Sequence, residues 1–119
     1  MRWVLLIPLL LLAGCLNPTS LEPPTMSGSW SGTADGVVVT FASTEIRQTV
    51  SGDGHASMGT ESIPLTVAGT HVYPNVILTV GIQGVGSVSF AGEFVSDDQV
   101  NGSLNGSGFE DAPFVLTRQ

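Results

Sequence analysis

Two stretches decide the fold: GSVSFAGEF at residues 86–94 and VNGSLNGSG at residues 100–108. In both, apolar or small residues alternate with polar ones. A period of two places successive side chains on opposite faces of a β-strand. Each stretch therefore predicts a strand with one face toward a core. The faces that we assign to the core carry Val88, Phe90, Gly92 and Phe94 in the first stretch and Val100, Gly102, Leu104, Gly106 and Gly108 in the second.

The same alternation recurs from residue 28 onward, and turn-forming residues interrupt it. The turn sequences lie at residues 51–54, 73–75, 96–98 and 110–113, and they combine Gly, Pro, Asn, Asp and Ser. This spacing predicts about eight strands roughly a dozen residues apart and no helix. The further core-facing sets are Val37, Val39 and Phe41; Ile63, Leu65 and Val67; Val76, Leu78 and Val80; and, more weakly, Ile46 with Val50.

Two Asn-Gly pairs within the second stretch have the composition of hairpin turns. Because the alternation runs unbroken through Asn101-Gly102, we reject a turn at that pair. A glycine on the inward face indicates instead a bend or a point of close packing in a curved sheet.

The composition sets the fold class. The chain has 119 residues, 42% hydrophobic and 11% charged, with 15 glycines and no lysine, which allows one domain rich in short strands and turns. Such strands can stack as a sandwich or close as a barrel, and closure removes the edges that a sheet without lysine leaves unprotected. We therefore predict an all-β fold, a small antiparallel up-and-down meander that closes as a roughly eight-stranded barrel. Its short strands predict a mostly filled interior.

The formal charge of −7 excludes whole classes of partner. Nucleic-acid binding requires clustered Lys and Arg, and an acidic surface does not adsorb to anionic lipid headgroups. We expect no nucleic-acid partner, and any membrane attachment must come from the leader or from a covalent lipid.

The chain begins with a secretory leader, in which Arg2 precedes an apolar run at residues 3–12. The end of the leader, Leu12-Ala13-Gly14-Cys15, closely resembles the lipobox of bacterial lipoproteins. The resemblance implies recognition of Leu12, Ala13 and Gly14 by the signal peptidase, cleavage before Cys15 and a thioether-linked diacylglycerol on Cys15. The alternative is an ordinary secretory signal with an incidental cysteine. Leu16, in place of an Asp, favours the outer membrane if the cell is Gram-negative.

Three segments follow from this interpretation. Residues 1–14 form the signal peptide, residues 15–27 the lipidated cysteine and a flexible tether, and residues 28–119 the barrel. Residues 16–27, LNPTSLEPPTMS, are rich in Pro, Ser and Thr, which favours an extended spacer. We expect this spacer to lift the domain off the bilayer.

A tryptophan and an arginine stand at the two ends of the predicted barrel: Gly28-Ser29-Trp30 begins its first strand, and Arg118 lies in its last. This pairing resembles the signature of the calycins, in which a G-x-W on the first strand packs under an Arg or Lys from the last. The resemblance implies that Trp30 and Arg118 close the barrel and do not contact a ligand. Stacking of a guanidinium on an indole is favourable.

Few residues suggest chemistry. We interpret His55 and His71 as surface turn residues, and the acidic pairs at residues 97–98 and 110–111 as solvated turn carboxylates. No G-x-S-x-G elbow or phosphate-binding loop is present in the sequence. We therefore expect no enzyme activity, no metal site and no cofactor.

Two functions from different classes remain. The first is a lipid-anchored, cell-envelope binding module for a small apolar ligand or a protein, with a mouth formed by Val72, Tyr73, Phe109 and Ala112. The second is a structural or envelope-interaction lipoprotein with a filled barrel and no ligand. The oligomeric state stays open.

Overall fold

The computed structural model describes residues 23–119. These residues form eight antiparallel β-strands in one closed barrel. Within this range no helix is long and apolar enough to cross a membrane. The strands are β1 (Gly28–Ala34), β2 (Val37–Ile46), β3 (Thr49–Met58), β4 (Glu61–Val72), β5 (Asn75–Ile82), β6 (Gly86–Ser96), β7 (Gln99–Gly106) and β8 (Phe109–Arg118).

Each strand pairs with the next one in sequence, and β1 pairs with β8 through Trp30 opposite Arg118 and Ser31 opposite Thr117. The predicted up-and-down meander and its closure into a barrel are confirmed. Because the strands alternate in direction, the turns divide between two ends. At the lower end the chain enters β1 and leaves β8, and the turns at residues 47–48, 73–74 and 97–98 lie there. The turns at residues 35–36, 59–60, 83–85 and 107–108 form the upper end.

The two stretches that predict the fold become β6 and β7 and pair with each other. Their core-facing residues point inward as expected, from Val88 to Phe94 and from Val100 to Leu104. The alternation ends earlier than predicted, because Gly106, Ser107 and Gly108 have positive φ angles of 107°, 48° and 98°. These three residues turn the chain into β8.

Close approach of the backbone explains the inward glycines of this strand pair. Gly92 lies opposite Gly102, and the ring of Phe90 occupies the space that their missing side chains leave. A Cβ added to Gly102 would lie 2.8 Å from Cε1 of Phe90 and 2.7 Å from Cα of Gly92. Phe90 is buried and meets Phe114 edge to face, with ring centroids 5.7 Å apart. A narrow barrel thus holds large rings by placing glycines beneath them.

Two predicted turns are strand segments. Residues 51–54 lie inside β3, where Gly52 and Gly54 face inward and a Cβ on either would collide with the backbone of β2. Residues 110–113 lie inside β8. There Asp111 has a φ of 49° beside a register shift and donates its backbone N–H to Asn105 Oδ1 at 2.8 Å. These features are those of a β-bulge. A bulge contains residue types that are common in turns, but the chain continues in the same direction.

The weaker prediction that Ile46 and Val50 both face the core is also wrong. Ile46 is exposed and Val50 is buried. The turn between β2 and β3 consists of Arg47 and Gln48, with φ angles of 52° and 68°. These positive φ angles reverse the chain, so the period of two does not continue from β2 into β3. Arg and Gln are not typical residues of such a turn, and the sequence therefore gives no signal for it.

The interior is filled, as predicted, although the strands, at 7 to 12 residues, are not short. The enclosed space has a volume of about 20 Å³ and is lined only by apolar side chains. It lies in the upper half of the barrel, and Val37, Ile82 and Phe109 border it near the upper turns. A volume of this size holds about one water molecule.

The close contact at Gly102 gives a stability prediction. Gly102→Ala forces Cβ into the backbone of β6 and the ring of Phe90, so we expect the free energy of unfolding in urea to fall by at least about 2 kcal/mol. The matched control is Gly81→Ala in β5, where the nearest atom to an added Cβ is the side-chain Oγ1 of Thr66 at 3.2 Å. Since that side chain can rotate, a change within about 1 kcal/mol is expected there. Equal effects at the two positions would contradict this account of the glycine pair.

Candidate functional site

The lower end is closed by the residues that precede β1. Met26 is completely buried. Its carbonyl oxygen accepts hydrogen bonds from Trp30 Nε1 at 3.0 Å and from Ser43 Oγ, and its N–H donates to Glu45 Oε1 at 2.8 Å. Residues 25–27, which the sequence assigns to the tether, therefore pack on the barrel and plug its lower opening.

Trp30 and Arg118 meet at the seam between β1 and β8. The guanidinium carbon of Arg118 lies 4.4 Å from the centroid of the Trp30 ring, and Trp30 is fully buried. On its other side Trp30 contacts Phe94 edge to face, with centroids 5.9 Å apart. The ring thus lies between the seam and the core.

Arg118 also joins three segments through hydrogen bonds. Its Nη1 donates to the carbonyl of Ser27 at 2.7 Å, its Nη2 to the carbonyls of Thr25 at 2.9 Å and Asp97 at 3.0 Å, and its Nε to the carbonyl of Asp97 at 3.2 Å. Its Nε is also 3.4 Å from Oδ1 of Asp98. The rigid, planar fork of a guanidinium suits several acceptors at once. One side chain thereby connects the plug, the seam and the turn between β6 and β7.

The structure corrects the prediction that His71 lies in a surface turn. His71 is an inward residue of β4 and is 3% exposed. Its Nδ1 lies 2.7 Å from Oε1 of Glu45, whose side chain is 10% exposed. Its ring stacks at a tilt on Phe94, with centroids 4.9 Å apart, and meets Tyr73 edge to face at 6.1 Å. His55 is exposed, but it too lies in a strand, β3.

The sequence held a signal for this buried pair. In β4 the period of two runs from Leu65 through Val67 to His71, and in β2 it runs through Phe41 to Glu45. Extending both strands by their own alternation would have placed His71 and Glu45 inside. Their burial is unusual for charged and imidazole side chains, which are rarely buried without partners, and here each is the partner of the other.

Oε1 of Glu45 accepts a hydrogen bond from the N–H of Met26 and another from Nδ1 of His71. The other ring nitrogen of His71, Nε2, is buried and has no hydrogen-bond partner among the described residues. A carboxylate that orients a histidine is part of several acid–base arrangements, but the described side chains bring no hydroxyl or thiol to Nε2. In residues 23–119 no three His, Cys, Asp or Glu side chains are grouped as a metal site would require.

The predicted mouth is divided between the two ends of the barrel. Val72 and Tyr73 lie at the lower end, in and beside the turn between β4 and β5, whereas Phe109 and Ala112 begin β8 at the upper end. The prediction grouped them by composition without assigning strand directions. In an antiparallel meander, the turns after β4 and after β7 face opposite ways, so these four residues form no common opening.

The exposed apolar side chains concentrate at the lower end. Eight large apolar side chains of the described range are exposed, and the five that are more than half exposed all lie toward this end. The other three, Val38, Val85 and Val115, are less exposed. We name the five residues the lower patch: Ile46, Val72, Tyr73, Ile77 and Val95.

Strand register brings the members of the lower patch together. Thr70 pairs with Ile77 and Val72 pairs with Asn75, so Val72 and Ile77 are diagonal neighbours on the outer face. Val95 follows Phe94, whose N–H donates to the carbonyl of Pro74 at 2.9 Å. Val72, Tyr73, Ile77 and Val95 thus lie together at the ends of β4 and β6 and the start of β5, whereas Ile46, at the end of β2, lies beyond β3.

Charge is distributed unevenly along the barrel. Both arginines of the described range, Arg47 and Arg118, lie at the lower end. The upper end has acidic residues and no arginine. Glu93, Asp97 and Asp98 lie on the side of the lower end formed by β6 and β7. The acidic residues at or beside the upper turns are Asp35, Glu61, Glu110 and Asp111.

Comparison of the chain with protein-family models, with curated proteins and with solved structures finds no match. The eight-stranded antiparallel barrel is consistent with a calycin-like architecture. The residues of the predicted lipobox, Leu12, Ala13, Gly14 and Cys15, lie outside the described residues.

The seam gives the second prediction. Trp30→Ala removes a buried ring that contacts Arg118, Phe94 and the carbonyl of Met26, so we expect the free energy of unfolding to fall by about 3 kcal/mol or more. Val115→Ala on the exposed face of β8 is the control, with an expected loss below about 1 kcal/mol. Chemical denaturation followed by far-ultraviolet circular dichroism measures both. A loss below 1 kcal/mol for Trp30→Ala would show that the seam does not depend on this ring.

Proposed function

We propose that this protein is a lipid-anchored β-barrel of the cell envelope, held in the membrane by a diacylglycerol on Cys15. The support is the leader with its positive Arg2, its apolar run and the sequence Leu12-Ala13-Gly14-Cys15. Two or more acyl chains give stable anchoring, whereas one chain binds only marginally. In a Gram-negative cell, Leu16 after the cysteine favours the outer membrane.

We further propose that the barrel is a non-catalytic binding module that recognises an envelope protein with its outer surface. The observation that carries this proposal is the filled interior. A space of about 20 Å³ is far smaller than a small-molecule site, which is typically about 300 Å³ or more. Recognition of a small apolar ligand would require the upper end to open beside Val37 and Phe109.

The upper end is the natural contact region for such a partner. The plug lies at the lower end, so the chain enters the barrel there and not at the four upper turns. These turns carry an excess of carboxylates, so a partner with basic groups fits them best. The second candidate function, a structural envelope protein without a defined partner, is supported by the same filled interior.

The anchor is tested by Cys15→Ser. Without the thiol no thioether can form, so we expect loss of metabolic labelling by a clickable fatty acid and accumulation of the unprocessed precursor. Ser20→Ala, in the predicted tether, is the control and keeps both labelling and processing. Labelling and processing of the Cys15→Ser variant at the level of the unaltered protein would refute the proposed anchor.

Native mass spectrometry of the mature protein in a mild detergent separates the candidate functions. We expect a complex with one defined protein and no bound small molecule, because the interior has no room for one. A bare lipidated chain would favour the structural candidate. A stoichiometric added mass of a few hundred daltons would contradict recognition by the outer surface.

A further inference from the structure

We propose that the lower patch lies in the interface of the bilayer, so that the barrel rests on the membrane and does not stand away from it. This inference rests on the proposed lipid anchor. It reverses the expectation of a spacer that lifts the domain, because that expectation treated residues 16–27 as one free segment.

The point at which the chain enters the barrel favours contact of the lower end with the bilayer. The chain enters the barrel at the lower end, where Arg118 holds the carbonyls of Thr25 and Ser27 and Met26 is buried. The part of the spacer between Cys15 and the plug is therefore about ten residues, with a fully extended length of roughly 35 Å. An acylated Cys15 would hold the lower end within roughly 35 Å of the bilayer.

The second argument is the chemistry of the lower patch. Its members are Ile, Val and Tyr, with no charged side chain among them, and all are more than half exposed. Val72, Ile77 and Val95 lie on neighbouring strands, and grouped apolar side chains of this kind mark an interaction site. Tyrosine has an apolar ring and a polar hydroxyl, which suit the boundary between acyl chains and headgroups.

The distribution of charged residues between the two ends also favours this orientation. The acidic residues of the upper end would face away from the bilayer, and the exposed Arg47, next to Ile46 of the patch, would face the headgroups. Glu93 lies within the patch, on the same face of β6 as Val95 and diagonal to Ile77, and Asp97 and Asp98 border it toward β7. These carboxylates limit how far that side can approach the bilayer. The bilayer contact therefore centres on the turns between β2 and β3 and between β4 and β5.

A second copy of this chain or an envelope protein could also cover an apolar patch. The bilayer is favoured because the proposed anchor delivers the patch to it at a very high local concentration, whereas a second chain must be found by diffusion. Weak apolar contact suffices when the chain is already attached.

The experiment uses the only cysteine of the chain. In the mature lipoprotein its sulfur is bound in a thioether, so Val72→Cys introduces a single free thiol on the patch, which takes a nitrobenzoxadiazole fluorophore. Val38→Cys, an exposed valine of β2 nearer the upper end, is the matched control. Both lipidated proteins are reconstituted into vesicles of phosphatidylethanolamine with a minor fraction of phosphatidylglycerol, with and without lipids that carry a nitroxide on the acyl chain.

We expect a several-fold larger loss of fluorescence to the nitroxide lipids, and a blue-shifted emission, for the fluorophore at residue 72 than for the one at residue 38. Ile46→Cys, on the other side of the patch, should give the same result as Val72→Cys, which guards against a local disturbance at one position.

The other possible results of this experiment contradict either the membrane contact or the anchor. Protein that floats with the vesicles while the two fluorophores are quenched equally, or not at all, overturns the membrane contact and leaves the anchor intact. A blue shift without lipid quenching, together with a crosslinked dimer, assigns the patch to a second copy. Protein whose mass lacks acyl chains and that does not float overturns the anchor itself, and the inference with it.

Discussion

The stack of Arg118 on Trp30 is the contact on which the closed state of this barrel depends. The pairing of β1 with β8 is the shortest in the sheet, with two residue pairs, whereas β2 and β3 pair over ten. The guanidinium adds to this short seam a face-to-ring contact at 4.4 Å and hydrogen bonds to three carbonyls outside it. Burial of Met26 and of the pair of Glu45 and His71 follows, because the plug can pack only against a closed lower end.

Filling a narrow barrel imposes a second constraint, which the sequence meets by pairing glycines with rings. Phe90 lies against Gly92 and Gly102, and Phe114 against Gly32. This packing leaves about 20 Å³ of apolar space, so the interior contributes stability and little capacity for cargo. The outer surface differs between the two ends: the upper turns carry carboxylates and no arginine, and the lower end carries the lower patch together with both arginines of the described range.

Local periodicity was enough to predict most of the strands and the inward role of Gly102, and composition with the need to protect sheet edges predicted the closed barrel. Periodicity and turn composition failed where one residue type occurs in two kinds of structure. Gly52 and Gly54 have the composition of a turn but allow close strand contact, and Arg47 and Gln48 turn the chain without the usual residues. The buried position of His71 was within reach of the same periodicity. The separation of Tyr73 from Phe109 was not, because it follows from strand direction around the whole barrel.

The plug also determines how a pulling force on the preceding chain would enter the domain. Tension along residues 23–27 reaches β1 through the covalent backbone and β8 through the two hydrogen bonds from Arg118 to Thr25 and Ser27. Both strands of the seam then share the load, which reduces the force that would separate β1 from β8. Such a force would thus enter the domain beside the shortest strand pairing of the sheet, where the hydrogen bonds of Arg118 reinforce it.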